Sequence, residues 1–255
     1  MKRQELLYVI ENKKLNDNTF LMVLGSKTHL PDMEPGQFVQ IKVDNGRTLL
    51  RRPISIHDVE MSENNFSILV QVVGEGTKAL SKLPAGSNVD VIYPLGNSFS
   101  MPSNEETSLL VGGGVGIAPL LFLAKRMKSN KMKFDILLGF RDVKRIIEYE
   151  KYLEIGKVYT TTEDGSFGVK GFVTDHPIMK SGQYNRVYCC GPEPMMKAVA
   201  KLCKELSINC EVSLENKMGC GIGACLCCVT DTINGNVCTC TEGPIFNTNI
   251  LKWSI

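Results

Sequence analysis

The first 188 residues of this 255-residue chain contain no cysteine, and the remaining quarter holds all ten. A disulfide framework through the body of the protein is thereby excluded. In a reducing compartment, thiols gathered in one region point to local metal or redox chemistry. An excess of charge is lacking too: 29 basic residues face 27 acidic ones, which suggests no nucleic-acid or polyanion partner. Long apolar runs are missing. The N-terminal "MKRQELLYVIENKK" has charges on both sides of an apolar core of about six residues, too short for a signal peptide and without a small-residue cleavage site. The longest uncharged stretch, Thr107 to Ala124, holds four glycines and Pro119, and reads as a nucleotide-binding turn instead of a membrane span. The chain is expected to be unprocessed, cytoplasmic and free of membrane. Its three histidines, His29, His57 and His176, lack metal spacing and are read as surface or structural. No internal repeat or low-complexity segment occurs.

What is present divides into three segments. Over residues 1–100 short alternating strands dominate: Val39, Ile41 and Val43 share one face in "QFVQIKV" while Gln40 and Lys42 share the other. Phe66, Ile68, Val70 and Val72 align likewise, and "MEPGQ", "DNGR" and "PAGSN" separate the runs as turns, so a small antiparallel barrel is inferred. Over 101–210 the period changes. Strand "TSLLV", turn "GGGVGIAP" and a helix starting at "LLFLAKRMKS" are followed by strands "KFDILLGF" and "KVYTTTE" and helix "GFVTDHPIMK". Strand "NRVYCC", helix "EPMMKAVAKLCKEL" and strand "INCEVSLE" complete a doubly wound parallel sheet. Residues 211–255 lack such periodicity, hold six cysteines, and read as an appendage stabilised by a cofactor. The fold class is all-β plus α/β.

Cys220, Cys225 and Cys228 stand in C-x4-C-x2-C spacing, with Cys240 after eleven further residues, the ligand run of a plant-type [2Fe-2S] centre with a shortened last interval. Gly221, Gly223 and Ala224 permit the close backbone approach that sulfur-directed N–H groups need. The competing reading is a structural zinc site, which usually shows paired C-x2-C knuckles. Spacing alone leaves Cys238 and Cys240 as alternatives, and Cys227 and Cys238 are otherwise read as small semi-buried side chains. "LLVGGGVGIAP" suits a strand, a glycine turn and a helix N-terminus facing a pyrophosphate, although Gly114-x-Gly116-x-x-Pro119 departs from GxGxxG at its last position; a tight structural turn is the alternative. The acidic ribose reader is missing after "LLGF", where Arg141 precedes Asp142, so Arg141 reads a 2′-phosphate or is simply solvated. "CCGPEPMMKAV" ends a late strand of the same sheet. Cys190 there either faces a nicotinamide, as a candidate catalytic group, or is a buried strand cap. In "LRRPISI" and "VVGEGTKAL", Arg51, Arg52, Ser55, Gly74, Gly76 and Thr77 suit a second pyrophosphate, against a solvated arginine pair and an ordinary turn.

In order, Arg52-Pro53-Ile54-Ser55, Gly74-Glu75-Gly76-Thr77, "YPLGNSF", "GGGVGIAPL" and "CGPEPM" resemble the ferredoxin-NADP reductase family across the first 200 residues. The resemblance implies an FAD-binding Greek-key barrel and then an NAD-binding domain. It implies that Arg52, Pro53, Ile54 and Ser55 bind flavin, with Ile54 where tyrosine is commoner, together with Leu69, Val70, Gln71, Gly76 and Thr77. The nicotinamide nucleotide is implied to meet Gly112, Gly113, Gly114, Gly116, Pro119, Cys190, Gly191 and Pro192. "ENKMGCGIGACLCCVT" followed by "CTEGPIF" is similar to the electron-transfer subunits of two-subunit, NAD-dependent dihydroorotate dehydrogenases. That likeness implies Cys220, Cys225, Cys228 and Cys240 as ligands. It further implies a catalytic FMN-containing partner, two copies of each in a heterotetramer, and a route through the cluster and FAD to NAD in pyrimidine biosynthesis. Small apolar residues around Cys220–Cys228 would then form the docking patch. Two rival readings are a flavin and iron–sulfur subunit of another complex, such as a ferredoxin:NADP oxidoreductase or a soluble hydrogenase, and a zinc-stapled module on a barrel without flavin.

Overall fold

The computed structural model describes residues 2–44 and 46–253. Six antiparallel strands close a barrel: β1 (Arg3–Lys14), β2 (Thr19–Gly25), β3 (Phe38–Ile41), β4 (Arg52–Glu60), β5 (Asn65–Gln71) and β6 (Asn88–Leu95), in the order β1-β2-β5-β4-β3-β6. A short helix α1 (Glu75–Leu80) follows β5. Two-residue alternation places Val39, Ile41, Val43, Phe66, Ile68 and Val70 in the barrel core. Gln40 departs from its expected exposure. Lys42 stays in solvent, but Gln40 is buried because the C-terminal segment covers the outer face of β3. The turn read at Asp44–Arg47 includes Asn45, which lies outside the described residues.

The second unit is a sheet of β7 (Thr107–Gly113), β8 (Lys133–Phe140), β9 (Lys157–Thr162), β10 (Val169–Lys170), β11 (Arg186–Cys190) and β12 (Asn209–Ser213), all parallel. Helices α2 (Ala118–Ser129), α3 (Tyr149–Leu153) and α4 (Glu193–Glu205) join them. The strand order β10-β9-β8-β7-β11-β12 reverses direction at β7, so the crevice between the ends of β7 and β11 is the topological switch point where such sheets bind ligands. Two expectations change. The helix read in "GFVTDHPIMK" is two single 3₁₀ turns, Val173–Asp175 and Pro177–Lys180. His176 between them is extended (ψ 129°), as the residue before a proline prefers. Gly112 and Gly113, read as part of the turn, are the last residues of β7. Among the described residues no helix is long and apolar enough to cross a membrane.

The last segment is less of an appendage than its composition suggested. After the hairpin β13 (Val229–Thr232) and β14 (Gly235–Cys238), strand β15 (Ile245–Asn247) pairs antiparallel with β12 and closes the edge of the sheet. Ile245 and Phe246 are buried in the two cores on opposite faces of that sheet. Asn97, just past β6, ties this segment to the barrel. Its N–H donates to Gly243 O (2.7 Å) and its amide donates to Glu242 O and Ile245 O (2.8 Å each), while Oδ1 accepts from Ile245 N (2.9 Å).

A second tie crosses from barrel to sheet. His57 on β4 is fully buried, with Nδ1 2.8 Å from Ala118 O at the start of α2 and Nε2 3.5 Å from the Glu148 carboxylate. Burial alone would raise the Glu148 carboxyl, but the His57 ring and the Lys151 ammonium outweigh it and hold the group down at about 2, from 4.5.

Two stability predictions follow from these ties. Asn97→Ala leaves the N–H and C=O of Ile245 without their side-chain partner and frees the exposed Glu242 C=O, and is expected to cost about 2 kcal/mol, read as a fall of about 4–8 °C in the thermal midpoint. Because Glu148 titrates lower folded than unfolded, its contribution is complete above pH 4.5 and fades as pH falls toward 2. Glu148→Gln is therefore expected to cost about 3 kcal/mol at neutral pH in urea unfolding. The gap to wild type should close between pH 4.5 and about 2.

Candidate functional site

Three adjoining features occupy the face where the barrel, the sheet and the last segment meet. The first is a cleft of about 690 Å³ at the switch point, walled by Gly113, Gly114, Gly116, Gly191 and Pro192. Gly114 takes φ +56° to leave the strand, and a 3₁₀ turn through Ile117 leads into α2. A Cβ on Gly116 would lie 2.5 Å from Gly191 Cα and 2.6 Å from Cys190 O, so glycine is what lets the turns after β7 and β11 touch. Arg141, Arg145 and Glu163 wall the same cleft, and Gln71, Val115 and Glu215 also line it. Three sequence-predicted residues sit elsewhere. Gly112 is inside β7, against Ile117 and Leu120; Pro119 lines the neighbouring cavity; Cys190 is 1% exposed and contributes no wall to the cleft. Burial first, and then the charge of Glu215, push the Cys190 thiol well above the usual thiol range, so it keeps its proton at neutral pH.

The second feature is a cavity of about 340 Å³ on the outside of the barrel, where Arg52, Pro53, Ile54 and Ser55 of β4 meet Leu69, Val70 and Gln71 of β5 and Thr77 of α1. Gly76 borders it indirectly: a Cβ there would fall 2.4 Å from Arg52 Nε, so its bare backbone leaves room for the guanidinium. Thr77 Oγ1 accepts from the N–H groups of Val73 (2.9 Å) and Gly74 (3.2 Å), which folds the turn at the end of β5. The expected pair of arginines is not formed, because Arg51 is bound to Asp90 (2.8 Å) across the barrel wall and Arg52 alone faces the cavity. Val115, Ala118 and Pro119 roof the cavity, and Ser213 to Met218 run along its side. That strap was not anticipated, nor was Phe38; nothing local distinguishes them from core and linker residues. Glu215 was visible only as the first residue of "ENKMGC". It opens onto both cavities, and desolvation by their walls raises its carboxyl.

The third feature is the cysteine loop. Gly221, Gly223 and Leu226 have φ of +72°, +85° and +55°, curling the chain so that its N–H groups face inward. Cys220 Sγ accepts from Ile222, Ala224 and Cys225 N–H groups at 3.2–3.5 Å, Cys225 Sγ from Cys220 N–H (3.4 Å), and Cys240 Sγ from Gly223 N–H (3.1 Å). Burial works to raise the Cys220 thiol, but those N–H donors prevail and bring it down to about 6. Burial and the adjoining Cys228 push Cys240 up to about 12, which marks a pocket where several thiolates coexist only if a cation neutralises them.

Among the described residues no three His, Cys, Asp or Glu side chains close on a single point. The sulfurs are gathered as two neighbouring pairs, Cys220 with Cys225 and Cys228 with Cys240, which suits a centre of two irons with two thiolates each. Cys240 also feels Cys220, so the two pairs lie near one another in the loop. Cys227 is exposed, not semi-buried, and Cys238 sits on β14 beside Cys228.

Comparison with known proteins finds a match for each of three stretches of the chain. Family models match residues 7–99 (oxidoreductase FAD-binding domain), 110–201 (oxidoreductase NAD-binding domain) and 215–252 (iron-sulfur cluster binding domain of dihydroorotate dehydrogenase B). The electron transfer subunit of dihydroorotate dehydrogenase B (NAD(+)) of Clostridium perfringens is 40% identical over 242 residues, 94% of each chain. Its counterpart in Fusobacterium nucleatum is 39% identical over 249 residues, 93% of this chain and 94% of that one. Among solved structures, a chain of an NADH-dependent reduced ferredoxin-NADP oxidoreductase superposes with a TM-score of 0.88 and 32% identity, covering 98% of this chain and 90% of that chain. A cytochrome P450 reductase from Amycolatopsis shares the fold (TM-score 0.71, 24% identity, 80% of this chain and 66% of that chain). Matched by family models over its three segments and by relatives about 40% identical over nearly the whole length of each chain, this chain belongs to the family of electron transfer subunits of NAD-dependent dihydroorotate dehydrogenase B, binding FAD, NAD and a [2Fe-2S] cluster.

Proposed function

We propose that this chain carries electrons for a catalytic subunit that oxidises dihydroorotate on its own FMN, delivering them to NAD+ in pyrimidine biosynthesis. One observation carries the reading: the three features share walls in a row. Gln71, Val115 and Glu215 belong to both the cleft and the barrel cavity. Phe38 and Met218 line that cavity and pack in one apolar cluster with Cys228 and Cys240. When bound, FAD exchanges an electron pair with a nicotinamide and single electrons with an iron–sulfur cluster, the chemistry that joins a hydride carrier to a one-electron carrier.

The protein's own residues then hold and orient. Arg52, Ser55 and Thr77 bind the flavin's polar parts, while Leu69 and Val70 pack against it and exclude water. Gly114, Gly116 and Gly191 let backbone N–H groups approach the nicotinamide nucleotide's pyrophosphate. Glu163, at the end of β9, supplies the acidic side chain that the sequence lacked after β8, and accepts hydrogen bonds from ribose hydroxyls. Cys190 acts from behind the cleft as a neutral thiol that positions the β11 turn. Cys220, Cys225, Cys228 and Cys240 hold the cluster. Ile222 and Leu226 beside them are 52% and 64% exposed, and with the exposed Cys225 and Cys227 they form the uncharged patch on which the catalytic subunit docks. The assembly proposed is a cytoplasmic heterotetramer of two such pairs.

The deciding experiment co-purifies the chain with its genomic neighbour, counts flavin, iron and sulfide, and assays orotate formation with NAD+. Yellow-brown protein making orotate is expected. A full set of cofactors without orotate would instead indicate a subunit of another NAD(P)H-linked complex, and colourless protein containing zinc would end the flavin reading. In the same preparation Gly116→Ala, whose added methyl meets backbone at 2.5 Å, should lower NAD+-dependent turnover at least tenfold while FAD and iron content stay at wild-type levels.

A further inference from the structure

Gln40 lies in the middle of β3, fully buried, and among the described residues neither its Nε2 nor its Oε1 has a hydrogen-bond partner. A buried, doubly unpaired amide is costly, and native proteins rarely keep one without a use. The strand's own ladder does not need it, since β3 pairs with β4 and β6 through backbone groups. Nor does the FAD cavity: Phe38 lines it, but Gln40 does not. The amide is aimed at the cysteine loop. A Cβ on Gly221 would lie 2.7 Å from Gln40 Nε2 and 2.6 Å from its Cγ, so the loop's bare backbone, one residue after Cys220, is folded directly onto this side chain. Phe38, two residues earlier on the same face of β3, packs in one cluster with Cys228 and Cys240. The barrel strand therefore presents one apolar and one polar side chain to the metal-binding loop.

We propose that Gln40 donates its side-chain N–H to a sulfur of the cluster held by Cys220, Cys225, Cys228 and Cys240, and so raises the cluster's reduction potential. The inference rests on the cluster reading given above. Reduction adds negative charge to the sulfurs, and a fixed donor from the barrel stabilises the reduced form more than the oxidised one. Donors from the loop itself act on Cys220, Cys225 and Cys240; Gln40 is a contribution from a different domain, so the barrel that holds the flavin also tunes the carrier next to it.

The test is a potentiometric titration of the two-subunit complex followed by electron paramagnetic resonance, comparing wild type with Gln40→Leu, which keeps the volume and removes the donor. Gln40→Leu should make the cluster harder to reduce, by up to tenfold in its one-electron equilibrium, or about 59 mV. Iron, sulfide and FAD content and the FAD potential should be unchanged. An unchanged cluster potential in a fully loaded variant overturns the proposal. Should Gln40→Leu not take up iron, wild-type complex made with side-chain-¹⁵N glutamine decides: a pulsed-resonance coupling of the reduced cluster to that nitrogen is expected, and no coupling overturns the assignment. A wild-type complex lacking any iron–sulfur signal removes the cluster reading itself, an outcome distinct from a cluster that is present and indifferent to Gln40.

Discussion

The clamp formed by Asn97 on residues 242–245 is the interaction on which the rest of this molecule depends. Four hydrogen bonds from one residue at the end of the barrel hold the backbone that runs from Cys240 into β15. Through β15 the same backbone is sewn to the edge of the parallel sheet. Gly96 reinforces the clamp, since a side chain there would press on Pro244 at 2.5 Å. Barrel, sheet and cysteine loop are thereby held against one another, and electron transfer between separate carriers requires that fixed proximity. A loosely tethered loop of the same sequence would bind the same iron and deliver nothing.

The electrostatics of the contact region follow from how this face is covered. Glu215 and Cys190 lie near one another at the end of the sheet, where lost solvation favours the neutral form of each. Around the cysteines the opposite holds: left-handed turns at Gly221 and Gly223 direct backbone N–H groups at sulfur and favour the thiolate of Cys220. The two environments stand on either side of the barrel cavity, one where burial raises the titration of acidic groups and the other suited to anionic ligands of a metal.

The family signature was legible because its chemistry is short in sequence. Metal spacing, a glycine turn after a strand and an arginine-proline-x-serine run each place their functional groups within about twenty residues, and local geometry carries most of the meaning. Glu163 illustrates the limit. An acidic residue was sought after the second strand of the sheet, and those that reach the cleft are Glu163, after the third, and Glu215, on the distant strap, because which chain ends meet at the cleft is invisible in one dimension. Arg51 and Arg52 illustrate another. Adjacent in sequence, they point to opposite sides of a strand, one to Asp90 and the other to the cavity.

By itself, the sequence determined the order of strands and helices along the chain, the C-x4-C-x2-C spacing of Cys220, Cys225 and Cys228 and the alternation that closes the barrel, since periodicity and spacing are properties of neighbours along the chain. Tertiary structure alone decided that β15 completes the sheet, that the 213–218 strap walls the barrel cavity, and that Gln40, on the polar face of its strand, is buried against the cysteine loop. Each of these depends on which surfaces meet after folding, and burial is a property of the meeting surfaces, which no residue carries in its own type.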